Sequence, residues 1–360
     1  MSKLVKCGRI SIGGGAPISI QSMTNVDTAD EKALLHQIEE LEGAGCDIVR
    51  VAIPDINAVN SFGKVRMLTD MPLVCDIHFD YRLAIMAINK GADKIRINPG
   101  NIGDRSRLKK VVDAAKKRNI PIRVGVNSGS LSRDIISKYN GVTARGLAES
   151  AIDTLREIED MDYDNLVLSI KSSNVRMNYD AHMIVKDLTD HPMHIGITES
   201  GTLQNGKIKS AIGIGSLLLS GIGDTIRVSL TDNPLEEVRL AKEILESIDI
   251  RKKAVEIVSC PTCGRTKIDL ISLAGRVEEA LKPIEEERSE IGLPPIKVAV
   301  MGCAVNGPGE AREADYGIAG GIGEGLIFRK GEIIKKVPEQ GLIIELIKII
   351  KDDYGKTEKI

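Results

Sequence analysis

A chain of 360 residues is too long for one average domain, although an α/β barrel can use about 250 residues as a single unit, so one large domain and one smaller one are expected. Apolar residues at 42%, charged residues at 28% and a mean hydropathy of −0.04 exclude disordered and fibrous classes and allow a sizeable core. A net charge of −2, no Trp and only three Phe give no global attraction to nucleic acid or anionic membranes and few rings for bases to stack on.

At the N-terminus, Met1-Ser-Lys-Leu-Val-Lys-Cys7 has no apolar signal core, and no apolar run approaches a membrane span, which points to a cytoplasmic protein. Gly13-Gly14-Gly15 lacks the spacing of a dinucleotide-binding loop and precedes the first βα unit, so it reads as a β-hairpin turn at a barrel base. From about residue 18 to residue 250, β-branched runs at 18–23, 48–53, 73–77, 94–98, 122–126, 166–170, 194–197 and 225–229 alternate with helix-like stretches, among them 29–41, 108–118, 144–158 and 235–248. Eight such repeats predict an α/β fold, a (β/α)8 TIM barrel over residues 1–251.

Beyond Lys252-Lys253 the rhythm changes. A strand is expected at 255–258, a helix at about 267–281, a Pro-rich link at 292–295 and a strand at 297–301. A strand-turn-strand follows around Arg329-Lys-Gly331, then a helix over about 342–352. Residues 252–360 thus form a smaller α+β domain.

The βα loops of a barrel gather at the C-terminal ends of its strands, and charged residues cluster there. Arg50 lies in the second strand, Asp76 and His78 follow the third, Arg96, Asn98 and Asn101 close the fourth, and Arg123 and Asn127 close the fifth. Lys171 and Ser173 follow the sixth, Thr198 and Glu199 the seventh, and Arg227 and Ser229 end the eighth. Residues two apart on a strand share a face, so Arg96 with Asn98, Arg123 with Asn127, and Arg227 with Ser229 point the same way. Barrel interiors are ordinarily filled by Val, Ile and Leu, and a buried arginine demands an anion. Four arginines and a lysine at one mouth therefore suit a diphosphate, the alternative for any single arginine being internal pairing with Asp76, Glu199 or another buried carboxylate. Glu199 among cations would be ionised and able to relay a proton or to orient Lys171, and His78 and His194 are further candidate proton donors.

Cys7, Cys46 and Cys75 are isolated and read as core residues. Cys260 and Cys263, in Ser-Cys-Pro-Thr-Cys-Gly, and Cys303, in Met-Gly-Cys-Ala-Val-Asn-Gly-Pro-Gly-Glu, form an incomplete thiolate set whose nearest downstream carboxylate is Glu310. Glycine-rich loops with exposed amides and the lack of any histidine after His194 favour an iron–sulfur centre, while a zinc knuckle stays open.

Cys260-Pro-Thr-Cys263-Gly-Arg-Thr, Met301-Gly-Cys-Ala-Val-Asn-Gly-Pro-Gly-Glu310, Arg96-Ile-Asn-Pro-Gly-Asn-Ile-Gly103 and His194-Ile-Gly-Ile-Thr-Glu-Ser-Gly201 together resemble the 4-hydroxy-3-methylbut-2-enyl diphosphate synthases in their bacterial two-domain form. The resemblance spans almost the whole chain. It implies a 4Fe-4S cluster on Cys260, Cys263 and Cys303 with Glu310 as fourth ligand. The implied reaction is two-electron reductive ring opening and dehydration of 2-C-methyl-D-erythritol 2,4-cyclodiphosphate in non-mevalonate isoprenoid biosynthesis. It implies diphosphate binding by Arg50, His78, Arg96, Asn98, Arg123, Asn127, Lys171, Ser173, Thr198, Arg227 and Ser229, with Glu199 and Glu310 catalytic. It further implies ferredoxin or flavodoxin as electron donor, and homodimers in which the cluster domain of one subunit closes over the barrel of the other. A carboxylate suits iron less well than a thiolate does, so Glu310 reads as a displaceable ligand. Two rival readings are a pteridine-synthase-like barrel with a structural zinc ribbon and a non-catalytic iron–sulfur redox sensor.

Overall fold

The eight β-branched runs fold as parallel strands in a computed structural model that describes residues 1–266, 268–303 and 311–357. The chain divides into two units, Met1–Ile250 and Arg251–Ile360. The larger opens with an antiparallel hairpin of β1 (Val5–Cys7) and β2 (Ile10–Ile12). The barrel strands follow as β3 (Ser19–Met23), β4 (Ile48–Ala52), β5 (Leu73–Asp76), β6 (Lys94–Ile97), β7 (Ile122–Asn127), β8 (Leu166–Lys171), β9 (His194–Ile195) and β10 (Thr225–Ile226). Their order is β8-β7-β6-β5-β4-β3-β10-β9, and a parallel bridge between Leu168 and Met193 joins the two ends into a ring. This is a TIM barrel.

The hairpin turn differs from expectation. It falls at Gly8-Arg9, while Gly13, Gly14 and Gly15 follow β2 with φ of 78°, 61° and 80°. A Cβ at Gly13 would lie 2.3 Å from the Lys3 carbonyl oxygen, so that triplet is glycine because the chain turns back tightly against its own first residues.

Helices cover the outside of the ring, and their starts are written in the sequence. Asp30 caps Glu31–Gly43 by accepting from the amides of Lys32 and Ala33, Asp104 caps Arg105–Arg118, and Thr143 caps Ala144–Glu159. Each turns an apolar stripe inward, such as Leu34, Ile38 and Leu41 on the first. Cys7, Cys46 and Cys75 are buried, and burial pushes their thiols up, to about 11 for Cys7 and about 12 for Cys46, so they are unreactive core residues.

The smaller unit carries one five-stranded mixed sheet in the order β11 (Val255–Ser259), β12 (Ile296–Met301), β13 (Tyr316–Gly320), β14 (Glu324–Arg329) and β15 (Glu332–Pro338). The first three are parallel and the last two antiparallel. Helices Leu270–Ile291 and Leu342–Thr357 supply Leu273, Val277, Leu281, Leu342 and Leu346 to the core against it. The first helix runs ten residues past its expected end at 281, straight through Pro283, because Ile284 and Arg288 continue its buried stripe. Packing of that stripe outweighs the lost backbone hydrogen bond.

Among the described residues no helix is long and apolar enough to cross a membrane. Packing in the smaller unit is close at Gly317, which pairs across β13 and β14 with the wholly buried Phe328. A Cβ there would lie 2.2 Å from the ring, so Gly317→Ala is expected to cost roughly 1–3 kcal/mol in denaturant unfolding; an unchanged midpoint would contradict this packing.

Candidate functional site

Asp76, at the end of β5, is 2% exposed and organises the barrel mouth. Arg50 Nη2 from β4 donates to its Oδ2 at 2.5 Å, and Arg96 Nη1 from β6 donates to its Oδ1 at 3.2 Å. His78 Nε2 lies 3.1 Å from Oδ2 and 3.5 Å from Arg96 Nη1, with its side chain half exposed. Burial alone would push the Asp76 carboxyl up, but the Arg50 charge, the His78 hydrogen bond and the Arg96 charge together hold it far below the usual carboxylate range.

The remaining cations have weaker compensation. Arg123, on the strand next to Arg96, is 2% exposed and donates through Nη1 to Gln21 Oε1 at 3.1 Å rather than to a carboxylate. Burial, then Arg50 and Arg96, pull its pKa well down. Lys171, at the end of β8, forms no ion pair among the described residues; burial first, then the charges of Arg227, Arg123, Arg50 and Arg96, depress its pKa strongly. Arg227 lies 3.7 Å from Glu237 Oε2, an ion pair rather than a hydrogen bond. Five coupled cations thus face two buried carboxylates, Asp76 and Glu237, and such an imbalance favours a multiply charged anion.

Glycines make room for these long side chains. A Cβ at Gly125 would lie 2.9 Å from Arg96 Nε, and one at Gly196 would lie 3.1 Å from Lys171 Nζ and 2.4 Å from the Arg227 carbonyl oxygen. One tier deeper on β6, Lys94 is fully buried, its Nζ makes no hydrogen bond among the described residues, and burial pulls its pKa down to about 8.

The other expected residues ring the mouth less closely. Asn98 stands just before the short helix Pro99–Ile102, without a side-chain capping bond, and donates to Ser130 Oγ at 3.2 Å, with Asn101 within that turn. Asn127 pairs in register with Lys171, and Ser173, Thr198 and Ser229 are partly buried on the loops after β8, β9 and β10. Glu199 departs from expectation: it is exposed and forms no ion pair with the cations among the described residues, yet its backbone is held at φ 51°. A non-glycine residue in that left-handed region is a strained position of the kind that recurs at functional sites. His194 also differs. It is fully buried on β9, and burial, then the Arg123 charge, keep it neutral, so it does not serve as a proton donor.

Gln21, Ser130, Lys94 and Glu237 went unread at the sequence level. Gln21 carried a faint signal as a polar residue on the inward face of the first barrel strand. Glu237 carried none, because an acidic residue in a helix's first turn ordinarily faces water.

In the smaller unit Cys260 directly follows β11 and Cys303 comes two residues after β12, so both leave the same end of two neighbouring parallel strands. The Gly302 amide donates to Cys260 Sγ at 3.2 Å, and hydrogen bonds from Arg265 backbone and side chain lower the Cys263 thiol. Thr266 accepts from the Cys263 amide at 3.2 Å. Three partly or fully exposed thiols with donors aimed at two sulfurs are a soft-metal donor set and fit an iron–sulfur cluster. Among the described residues no three His, Cys, Asp or Glu side chains converge as a metal group, and Glu310 lies outside those residues.

Fold and site define a TIM-barrel protein with a cationic mouth, joined to a thiol-bearing α+β domain. Residues 2–242 match the GcpE TIM-barrel domain and residues 256–352 the GcpE protein C-terminal domain, and the chain belongs to this family. It is 52% identical to the 4-hydroxy-3-methylbut-2-en-1-yl diphosphate synthase (flavodoxin) of Ruminiclostridium cellulolyticum over 98% of this chain and 97% of that one. It is 55% identical to the protein of the same name from Clostridium perfringens over 97% of this chain and 98% of that one. A crystal structure of dihydropteroate synthase from Stenotrophomonas maltophilia, 13% identical, superposes with a TM-score of 0.50 over 69% of this chain and 98% of its own, a likeness of barrel fold alone.

Asp76→Asn is expected to destabilise the barrel by about 3–5 kcal/mol, since it leaves Arg50 and Arg96 buried without their counter-charge. Because the native carboxyl is depressed, its contribution is present above about pH 4 and is lost only as pH falls through the lower native value. Urea unfolding of both proteins at neutral pH checks this, and equal midpoints would contradict it.

Proposed function

We infer that this protein is an oxidoreductase that converts 2-C-methyl-D-erythritol 2,4-cyclodiphosphate to (E)-4-hydroxy-3-methylbut-2-enyl diphosphate, opening the ring with two electrons and releasing one hydroxyl as water, in non-mevalonate isoprenoid biosynthesis. The observation that carries it is the set of five coupled cations in the barrel mouth of a chain that belongs to this family. In this reading residues 1–251 bind the diphosphate and residues 252–360 hold the metal centre.

Arg50, Arg96, Arg123, Lys171 and Arg227 neutralise the two phosphoryl groups, with arginine forks supplying bidentate contacts. Asn98, Asn127, Ser173, Thr198 and Ser229 donate hydrogen bonds at the rim, and His78, tied to Asp76, donates from the same side. Glu199, exposed beside the mouth strands, gives the proton with which the hydroxyl leaves as water. Cys260, Cys263 and Cys303, with Glu310, would hold a 4Fe-4S cluster, which when bound supplies single electrons to the carbon–oxygen bond. The Gly302 amide and Arg265 stabilise negative charge on the sulfurs. The names of the relatives support flavodoxin as donor over ferredoxin. The protein acts as a cytoplasmic homodimer in this proposal.

The deciding experiment is anaerobic purification followed by iron and acid-labile sulfide analysis and turnover of the cyclic diphosphate with reduced flavodoxin. Iron, sulfide and product formation are expected. Zinc in place of iron would favour the structural-ribbon alternative, and an iron–sulfur protein without turnover would favour the sensor; either would overturn the assignment.

A further inference from the structure

We propose that Glu237 is a positioning residue that sets the Arg227 guanidinium and the adjoining Ser229 loop for the diphosphate, an inference that rests on the reading of the barrel mouth given above. Glu237 stands in the first turn of helix Pro234–Ser247, where an acidic side chain ordinarily faces water and meets the helix dipole. Here it is only 5% exposed. Both carboxylate oxygens are engaged. The Leu230 amide donates to Oε1 at 3.0 Å, Ser22 Oγ donates to Oε2 at 2.9 Å, and Arg227 Nε lies 3.7 Å from the same Oε2.

These partners belong to two pieces of the barrel lip, β3 and the segment 227–230 that follows β10 and carries both Arg227 and Leu230. A carboxylate fixed by two hydrogen bonds loses little further freedom when it meets a cation, so its orientation is imposed on the arginine rather than the reverse. The contact is made on the Nε side of Arg227. The two Nη groups, which have no hydrogen-bond partner among the described residues, are left as a forked edge of the kind that takes a phosphoryl group bidentately. The Leu230 bond holds the residue after Ser229, whose carbonyl in turn accepts from Ser200 Oγ, so the same carboxylate anchors a second residue of the mouth. The Glu237 charge also opposes the burial that pulls the Arg227 pKa down, and so helps keep the guanidinium charged.

A merely structural carboxylate would show itself in stability alone, whereas a positioning one couples to Arg227. Glu237→Gln is expected to fold, to raise KM for the cyclic diphosphate about tenfold and to change kcat less than about twofold; in an Arg227→Lys background the same substitution is expected to add almost nothing to KM. An unchanged KM for Glu237→Gln, or losses that multiply in the double variant, would overturn the proposal. If Arg227→Lys alone keeps the parental KM, the reading of the mouth itself fails, which is a distinguishable outcome. Should Glu237→Gln not fold, Ser22→Ala removes one of the two hydrogen bonds and leaves the carboxylate in place. It is expected to raise KM by about threefold in the parent and not in the Arg227→Lys background, and an equal rise in both would also overturn the proposal.

Discussion

One buried carboxylate is what allows the barrel mouth to exist at all. Without Asp76 the guanidinium groups of Arg50 and Arg96 would stand next to each other in a desolvated cup, beside Arg123 and Lys171, with nothing of opposite sign between them. With it, two of the five cations are held at fixed distances and His78 is drawn into the same network. The charge that remains is not a flaw of folding. It is an electrostatic deficit of the kind that a multiply charged anion relieves, and the fold bears its cost because the barrel wall around it is packed with Val, Ile and Leu that are entirely buried.

Strand chemistry and helix chemistry divide the labour around that deficit. The strands supply the cations, since residues two apart on one strand share a face and successive strands stand side by side in register. Gly125 on β7 and Gly196 just after β9 then open the space into which Arg96 and Lys171 extend. From outside, helix Pro234–Ser247 contributes Glu237, the second carboxylate of the site. In the smaller unit the same economy recurs: parallel β11 and β12 end side by side, and the loops leaving them carry Cys260 and Cys303, with the Gly302 amide already turned toward a sulfur.

Much of this was legible in the sequence, for identifiable reasons. Barrel strands announce themselves as β-branched runs between amphipathic helices, and a charged residue such as Arg123 inside such a run stands out because the interior should be apolar. The cysteine set was visible because three thiols with glycine-rich flanks have few other uses. What escaped depended on tertiary context. Glu237 looked like an ordinary first-turn acid, and only the fold turns it inward. The helix Leu270–Ile291 passes Pro283 because its stripe is buried by a sheet that local propensity does not see. His194 looked available for proton transfer, and burial among cations removes that capacity.

The central claim is that the mouth is a desolvated set of cations awaiting a polyanion, and the protonation of Lys171 reports on it directly. Burial and four arginines depress that lysine in the free protein; a bound diphosphate restores favourable surroundings for its charge, so binding should draw a proton from solution. Each phosphoryl group of the cyclic diphosphate carries one strongly acidic oxygen, so the ligand itself does not titrate near neutrality. Titration calorimetry at mildly alkaline pH, in two buffers of different ionisation enthalpy, measures the exchange. Net proton uptake that disappears in Lys171→Met is the predicted result, and binding with no uptake, or with proton release, would contradict the account.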